Sequence, residues 1–360
     1  MKLTAQAKLL PTEEQAQALR ETLERANAAC DYVSAWAWEH QTFRQFAIQK
    51  ALYQDVKARF ALTAQVVVRV IGKVADAYKL DKKTQRTFRP TGAVPFDDRI
   101  LRWYVSHSQV SIWTTQGRMR IAFACGDRQR QLLATQHGES DLVLVGGSFY
   151  LLAACDVEEP EPGDVSGVLG VDLGICNIAT DSDGTTYSGA VVNGLRHRHR
   201  RLRQRLQKKG TKSAKRLLRH RRVKEARFAR NTNHRIAKQI VATAECTGRG
   251  IALEDLKGIR ERVKARKPQR ATLSSWAFAQ LGGFIGYKAQ AAGVLVVYVD
   301  PRNTSRTCPA CGSIDKHNRP SQSVFRCASC GFSGLADHIA ACNIASRGAV
   351  NLPHAAPGTG

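Results

Sequence analysis

Four cysteines fall in two tight pairs, Cys308-x2-Cys311 and Cys327-x2-Cys330, with fifteen residues between the pairs. Two chelating pairs at that separation bring four thiolates into the tetrahedron that Zn2+ prefers, and Gly312 and Gly331 let each pair sit on a tight turn. Four protein ligands close the shell, so the spacing predicts one structural Zn2+ held by a small ribbon over 304–334. A redox Cys-x-x-Cys or buried free thiols are the competing explanations, and His317 and His338 read as ordinary polar residues. The other six cysteines (Cys30, Cys125, Cys155, Cys176, Cys246 and Cys342) are scattered among apolar neighbours. That usage suits a reducing compartment better than a disulfide framework and predicts a cytoplasmic address.

Charge narrows the partners. Lys plus Arg number 55 against 30 for Asp plus Glu, a net charge of +25. A chain that basic repels itself unless a polyanion neutralises it, and nucleic acid is the default polyanion. No run of 18 apolar residues and no signal-peptide pattern supports the alternative of a membrane. The surplus is concentrated between Arg196 and Arg230, where 17 Lys/Arg stand against one acid, Glu225. The candidate nucleic-acid contacts there are Arg196, Arg198, Arg200, Arg201, Arg203, Arg205, Lys208, Lys209, Lys212, Lys215, Arg216, Arg219, Arg221 and Arg222. Leu202, Leu206, Leu217, Leu218 and Val223 interleave, which predicts helices packed by one face and offering the other to a phosphate backbone. The ribbon's Lys316, His317, Arg319 and Arg326 could touch that backbone as well. Gly210-Thr211-Lys212-Ser213 lacks the strand and glycine of a phosphate-binding loop, so nucleotide binding is not expected there.

Periodicity predicts a multidomain α/β chain. Residues 2–10 read as a strand, and Thr12 with Gln15 fits a capping box opening a helix over about 13–30. Helical spacing continues to Ala77. Beyond Lys83, short β-branched and aromatic segments near 109–113, 119–123, 142–145 and 149–157 alternate with Gln116-Gly117 and Gly146-Gly147, which is hairpin chemistry. An acidic, proline-containing stretch over 156–166 marks a boundary. After it come strands at 168–173, 178–181 and 185–188, a helical region over 195–248, a strand at 251–253, a helix over 274–292 with Trp276 on its apolar stripe, a strand at 294–299, the cysteine ribbon, and a helix over 336–347. A three-strand meander followed by helix, strand, helix, strand, helix is the element order of an RNase H-like domain.

Three carboxylates stand where such a domain gathers acids: Asp172 at the end of the first strand, Glu254 at the end of the strand after the long helices, and Asp337 opening the last helix. Hard oxygen ligands at one site suit Mg2+, and a pair of such ions can activate water and stabilise the leaving oxygen of a phosphodiester. Singly, each acid has a plainer explanation: a turn after Asp172, a solvated strand end at Glu254, a helix cap at Asp337. Their joint placement favours catalysis. Asp181, Asp183 and Asp255 read as turn or solvent-facing acids, with Asp255 a possible support for the site.

These residues together resemble the TnpB family, the RNA-guided DNA endonucleases of insertion sequences related to type V CRISPR effectors. The resemblance is carried by Gly170-Val171-Asp172-Leu173-Gly174, Leu253-Glu254-Asp255-Leu256, Ser275-Trp276, Thr304-Ser305, the four cysteines, and Ala336-Asp337 leading to Asn343-Ile344, with weaker matches over 2–15 and 62–79. It implies a RuvC-type site in which Asp172, Glu254 and Asp337 are the catalytic acids and bind Mg2+, most simply two ions, with Cys308, Cys311, Cys327 and Cys330 on structural Zn2+. It also implies a wedge-like antiparallel β-barrel (1–12 and 84–157) carrying a helical recognition lobe (13–83). The nuclease domain would comprise 158–303 and 335–350, with the zinc ribbon at 304–334 inserted and a tail at 351–360. The expected partners are one guide RNA per chain and target double-stranded DNA cut beside a short adjacent motif, in the bacterial cytoplasm at the nucleoid. One departure is Ile339, where the family usually has Asn. A guided repressor with weak or no cleavage and a strand-transfer transposase are the alternatives.

Overall fold

The computed structural model describes residues 1–163, 165–256 and 278–352. The chain divides into two compact units, Met1–Glu158 and Glu159–Gly360.

In the first unit, β1 (Lys2–Leu10) runs into α1 (Glu13–Glu39) through Thr12, which accepts from the Gln15 backbone while the Gln15 side chain accepts from the Thr12 N–H, closing the expected capping box. The helix outruns its expected end by nine residues because Val33, Ser34 and Ala37 continue its buried face. Helices α2 (Gln45–Phe60) and α3 (Ala64–Leu80) complete the helical insert, α3 burying Val66, Val67, Val70, Ile71 and Val74. Strands β2 (Val94–Phe96), β3 (Leu101–Tyr104), β4 (Gln109–Thr114), β5 (Gly117–Ala124), β6 (Gln136–Val145) and β7 (Ser148–Asp156) follow, with α4 (Asp127–Ala134) between β5 and β6. The antiparallel order is β2-β6-β7-β1-β5-β4-β3. Gly146 and Gly147, both at positive φ, make the two-residue turn from β6 to β7, as hairpin chemistry requires. The sheet nearly closes: β2 and β3 form no ladder, but the Trp103 indole N–H on β3 donates to the Ser140 hydroxyl on β6 at 3.3 Å. Sequence periodicity missed β2, β3 and α4.

The second unit begins with β8 (Val168–Asp172), β9 (Asn177–Asp181) and β10 (Thr186–Ser188), an antiparallel meander. A helical hairpin follows, α5 (Ala190–Lys209) and α6 (Lys212–Cys246). The expected single helical region is broken at Gly210, whose φ of 65° caps α5, while the Thr211 hydroxyl accepts from the Ala214 N–H to start α6. Strand β11 (Gly250–Glu254), α7 (Phe278–Ala291) and β12 (Val296–Val299) extend the sheet to the order β10-β9-β8-β11-β12, with β8, β11 and β12 parallel. The cysteine module contributes a small pair, β13 (Val324–Arg326) and β14 (Ser333–Leu335), and α8 (Ala336–Val350) closes the unit. The expected helix start at 274–277, with Trp276, and residues 353–360 of the tail lie outside the described residues. One sheet face packs on Ile236 and Ile240 of α6 and Leu281 and Ile285 of α7; on the other, Ile344 of α8 packs with Val168, Ala252 and Val299. No helix among the described residues is long and apolar enough to cross a membrane.

Helix α8 sits close on the sheet, backbone to backbone at Gly170. A Cβ at Gly170 would lie 2.1 Å from the Ala341 carbonyl oxygen and 2.4 Å from the Ala345 nitrogen, and one at Gly348 would lie 2.5 Å from the Ala252 Cβ. Gly170→Ala is therefore expected to destabilise the chain by about 3 kcal/mol or more. Gly282→Ala, on α7 with open space around it, is expected to be neutral or to gain up to about 1 kcal/mol from helix propensity. Equal urea midpoints for the two variants would contradict the close seating.

Candidate functional site

Val171 pairs with Leu253 in the parallel ladder, so Asp172 and Glu254 leave adjacent strands at the same end. Both follow four buried residues and are themselves partly exposed, which puts each carboxyl where a buried strand first meets the surface. Asp337 lies in the first turn of α8, directly after β14. The structure thus brings the three expected acids to one end of the sheet.

Each has distinct surroundings. The Thr304 hydroxyl donates to Glu254 Oε1 at 2.5 Å, and Thr304 is held in turn by the buried Asn343, whose Nδ2 donates to the carbonyls of Thr304 and Thr307 at 2.8 Å each. Asp337 Oδ2 accepts from Asn177 Nδ2 at 2.9 Å, and its Oδ1 accepts from Arg319 Nη2 at 3.0 Å. Burial, then the negative charges of Glu254 and Asp337, push the Asp172 carboxyl up to about 7, with Arg319 pulling the other way. Burial also raises Glu254, against the pull of the Thr304 hydrogen bond.

A buried carboxyl raised by the charges of two neighbouring carboxylates marks a donor set short of positive charge, and its oxygens suit a hard divalent cation. Arg319 supplies one stand-in charge at Asp337. The fit is therefore good for a divalent cation such as Mg2+ between Asp172, Glu254 and Asp337, although among the described residues the four cysteines are the only group of three or more such ligands whose donor atoms all lie within 4.8 Å of one another.

A pH dependence follows. Below about pH 7 the folded, metal-free chain keeps a proton on Asp172 that the unfolded chain loses near 3.8. The folded state then binds more protons across that window, so this group's contribution to stability falls as pH rises from about 4 to 7 and is constant above it. Denaturant unfolding of the metal-free wild type and Asp172→Asn at stepped pH should give curves whose difference changes across that window; parallel curves would contradict the shift.

The cysteines form two equivalent knuckles. The Gly312 and Gly331 N–H groups donate to the carbonyls of Cys308 and Cys327 at 2.9 and 3.1 Å, and both glycines take φ near +75°. The Sγ atoms of Cys308 and Cys330 are 3.6 Å apart, as are those of Cys311 and Cys327. Four thiolates about 2.3 Å from a tetrahedral Zn2+ are about 3.8 Å apart, so the cluster fits zinc. His317 turns to Asp315 and His338 to the Ser182 carbonyl, so neither joins it. Ile339 is buried with Cys308, Phe325, Cys327 and Ala336, so the unexpected isoleucine lies in the ribbon's apolar core.

The basic hairpin is mostly at the surface. Arg198, Arg200, Arg201, Arg203, Arg205, Lys208, Lys209, Lys212, Lys215, Arg216, Arg219 and Arg222 are exposed, whereas Arg196 and Arg221 are half-buried. Glu225 accepts from Arg203 at 2.8 Å and pairs with His199 at 2.6 Å, tying α5 to α6. Leu202, Leu206 and Leu218 are partly buried, but Leu217 and Val223, expected to pack, are 40% and 53% exposed. Asp181 and Asp183 are turn acids: Asp181 accepts from the N–H groups of Asp183 and Thr185, and Asp183 pairs with Arg249. Sequence reasoning assigned no role to Asn177 or Thr304 and gave Arg319 to phosphate, because their positions depend on tertiary approach.

Residues 278–344 match the family model Cas12f1-like, TNB domain. The chain is 42% identical to the CRISPR-associated endodeoxyribonuclease Cas12f1 of Sulfoacidibacillus thermotolerans over 34% of this chain and 28% of that one. It is 36% identical to a TnpB-like protein of Methanocaldococcus jannaschii over 34% of this chain and 43% of that one. With the putative RNA-guided DNA endonuclease InsQ of Escherichia coli it shares 28% identity over 56% of this chain and 54% of that one. The alignments to the Cas12f relatives span about a third of those proteins' length. Among solved structures, a Cas12f1–sgRNA–target DNA complex matches with a TM-score of 0.64 at 15% identity, covering 93% of this chain and 83% of that one, which is likeness of fold.

Proposed function

We propose that the chain is an RNA-guided, Mg2+-dependent DNA endonuclease of the TnpB/Cas12f type, with a single RuvC-type site on an RNase H-like domain and the zinc ribbon inserted ahead of its last helix. The observation that carries this reading is the arrival of Asp172, Glu254 and Asp337, from two parallel strands and a helix start, at one end of a sheet.

In this reading the three carboxylates hold Mg2+, most simply two ions, which when bound supply an activated water and charge stabilisation at the leaving 3′ oxygen. Thr304, tied down by Asn343, orients Glu254, and Asn177 orients Asp337. Arg319 neutralises Asp337, a role that a bound cation would take over. The exposed arginines and lysines of α5 and α6 take the phosphates of guide RNA and target DNA, contacts that hold a backbone without reading its bases. Base pairing with the guide selects the sequence, while the first unit checks a short motif beside the target. The cysteine cluster holds structural Zn2+.

The test is to purify the protein expressed beside its native flanking DNA, sequence the RNA that accompanies it, and challenge the complex with a plasmid library and Mg2+. A defined RNA and cleavage beside one short motif are expected. Random RNA, or none, would overturn the guided reading, and a defined RNA with binding but no cleavage would leave a guided repressor.

A further inference from the structure

Two of the three acids are held by a neighbouring hydroxyl or amide: Glu254 by Thr304 and Asp337 by Asn177. Among the described residues the Asp172 carboxyl accepts no such hydrogen bond. Directly across from it in the β8–β9 ladder stands Thr180, which is 3% exposed and whose buried Oγ1 has no hydrogen-bond partner. The two residues share a face of the sheet. Gly170 and Ser182, each two positions away, meet there through the Gly170 N–H and the Ser182 hydroxyl at 3.1 Å, and α8 covers that face. Directly opposed residues in an antiparallel pair hold their Cβ atoms about 4.5–5.5 Å apart, which puts the Asp172 carboxyl within reach of a Thr180 hydroxyl turned toward β8. A buried hydroxyl without a partner costs about 1–3 kcal/mol, a cost that valine, of the same shape, would not carry.

We propose that Thr180 is the positioning residue of Asp172: its hydroxyl donates to one carboxylate oxygen of the ionised Asp172 and so fixes the other toward the divalent cation. Two groups that lack partners in the metal-free chain thus become partners in the loaded one. The inference rests on the reading that Asp172, Glu254 and Asp337 hold a cation, and it adds to Asp172 the kind of support its two neighbours already have. Such outer supports typically change metal affinity by about 10–100-fold when removed.

Mn2+ titration of the full, zinc-loaded chain, followed by water-proton relaxation, measures the affinity without requiring cleavage. Thr180→Val is expected to bind Mn2+ about tenfold more weakly than wild type, Thr180→Ala to show the same loss, and Thr180→Ser to restore the affinity. The metal-free melting temperature of Thr180→Val should be unchanged or higher, since the hydroxyl is unsatisfied there. Wild-type Mn2+ affinity in both hydroxyl-deleting variants would overturn the proposal while leaving the function intact. Equal Mn2+ binding by wild type and Asp172→Asn would overturn both, because the acids would then hold no cation.

Discussion

Asp172→Asn is expected to fold, to keep its RNA, and to lose Mg2+-dependent DNA cutting by about 10³-fold or more. The amide has the shape of the acid's protonated form, which the metal-free site already favours because the Asp172 carboxyl titrates near 7. What the substitution removes is a charged oxygen between Glu254 and Asp337. A cation's stabilisation of the transition state is worth several kcal/mol, and each 1.36 kcal/mol is a factor of about ten in rate. RNA affinity should be unaffected, because the exposed cations of α5 and α6, to which the proposed function gives the phosphate contacts, are separate from the acids in sequence. Filter binding of the guide beside a single-turnover cleavage assay makes the comparison. Undiminished cutting would remove Asp172 from the site, and loss of RNA binding as well would assign it a different role.

Cys327→Ser is expected to have an effect of similar size by another route. Cys327 is buried in the small core formed by Cys308, Phe325, Ala336 and Ile339, so losing one ligand releases both the metal and that packing. Structural zinc in comparable peptides contributes an apparent binding free energy of about 10–16 kcal/mol, against which so small a core is minor. Because Ala336 and Ile339 belong to α8, the first turn that carries Asp337 loses its support, and Arg319 is freed from the ribbon segment that brings it to the acid. Zinc content by mass spectrometry should fall from about one equivalent to near none. Cutting should be lost, while far-ultraviolet dichroism keeps the signal of the two larger sheets. Full activity without zinc would contradict the structural role.

The parts of this chain that could be read before it was folded are those whose chemistry is local. The capping box at Thr12 and Gln15, the paired glycines at 146–147, and the two Cys-x-x-Cys knuckles each depend on a few adjacent residues, and each takes the expected geometry. The positions of Asp172 and Glu254 at strand ends were legible because four apolar residues precede each. Strands β2 and β3 have three and four residues, too few for an alternation to emerge, and α4 is mostly polar with one buried side chain. Arg319 illustrates the harder case. Within its own segment it is one more cation near Lys316 and Arg326, and only the fold of the ribbon brings it to a carboxylate eighteen residues away. The break at Gly210 was hidden by strong helical character on both sides of it.

The seating of α8 on Gly170 has a consequence for how such a chain can change over many generations. Where side chains separate a helix from a sheet, each exchange among Val, Leu and Ile nudges the two apart or together. At Gly170 backbone meets backbone, so the gap between the strand that bears Asp172 and the helix that bears Asp337 is set there by van der Waals contact of main-chain atoms. Drift in the surrounding apolar residues can then erode or restore stability without rescaling the distance between these two carboxyls. The chain is free to wander widely in sequence while its candidate site keeps one gauge.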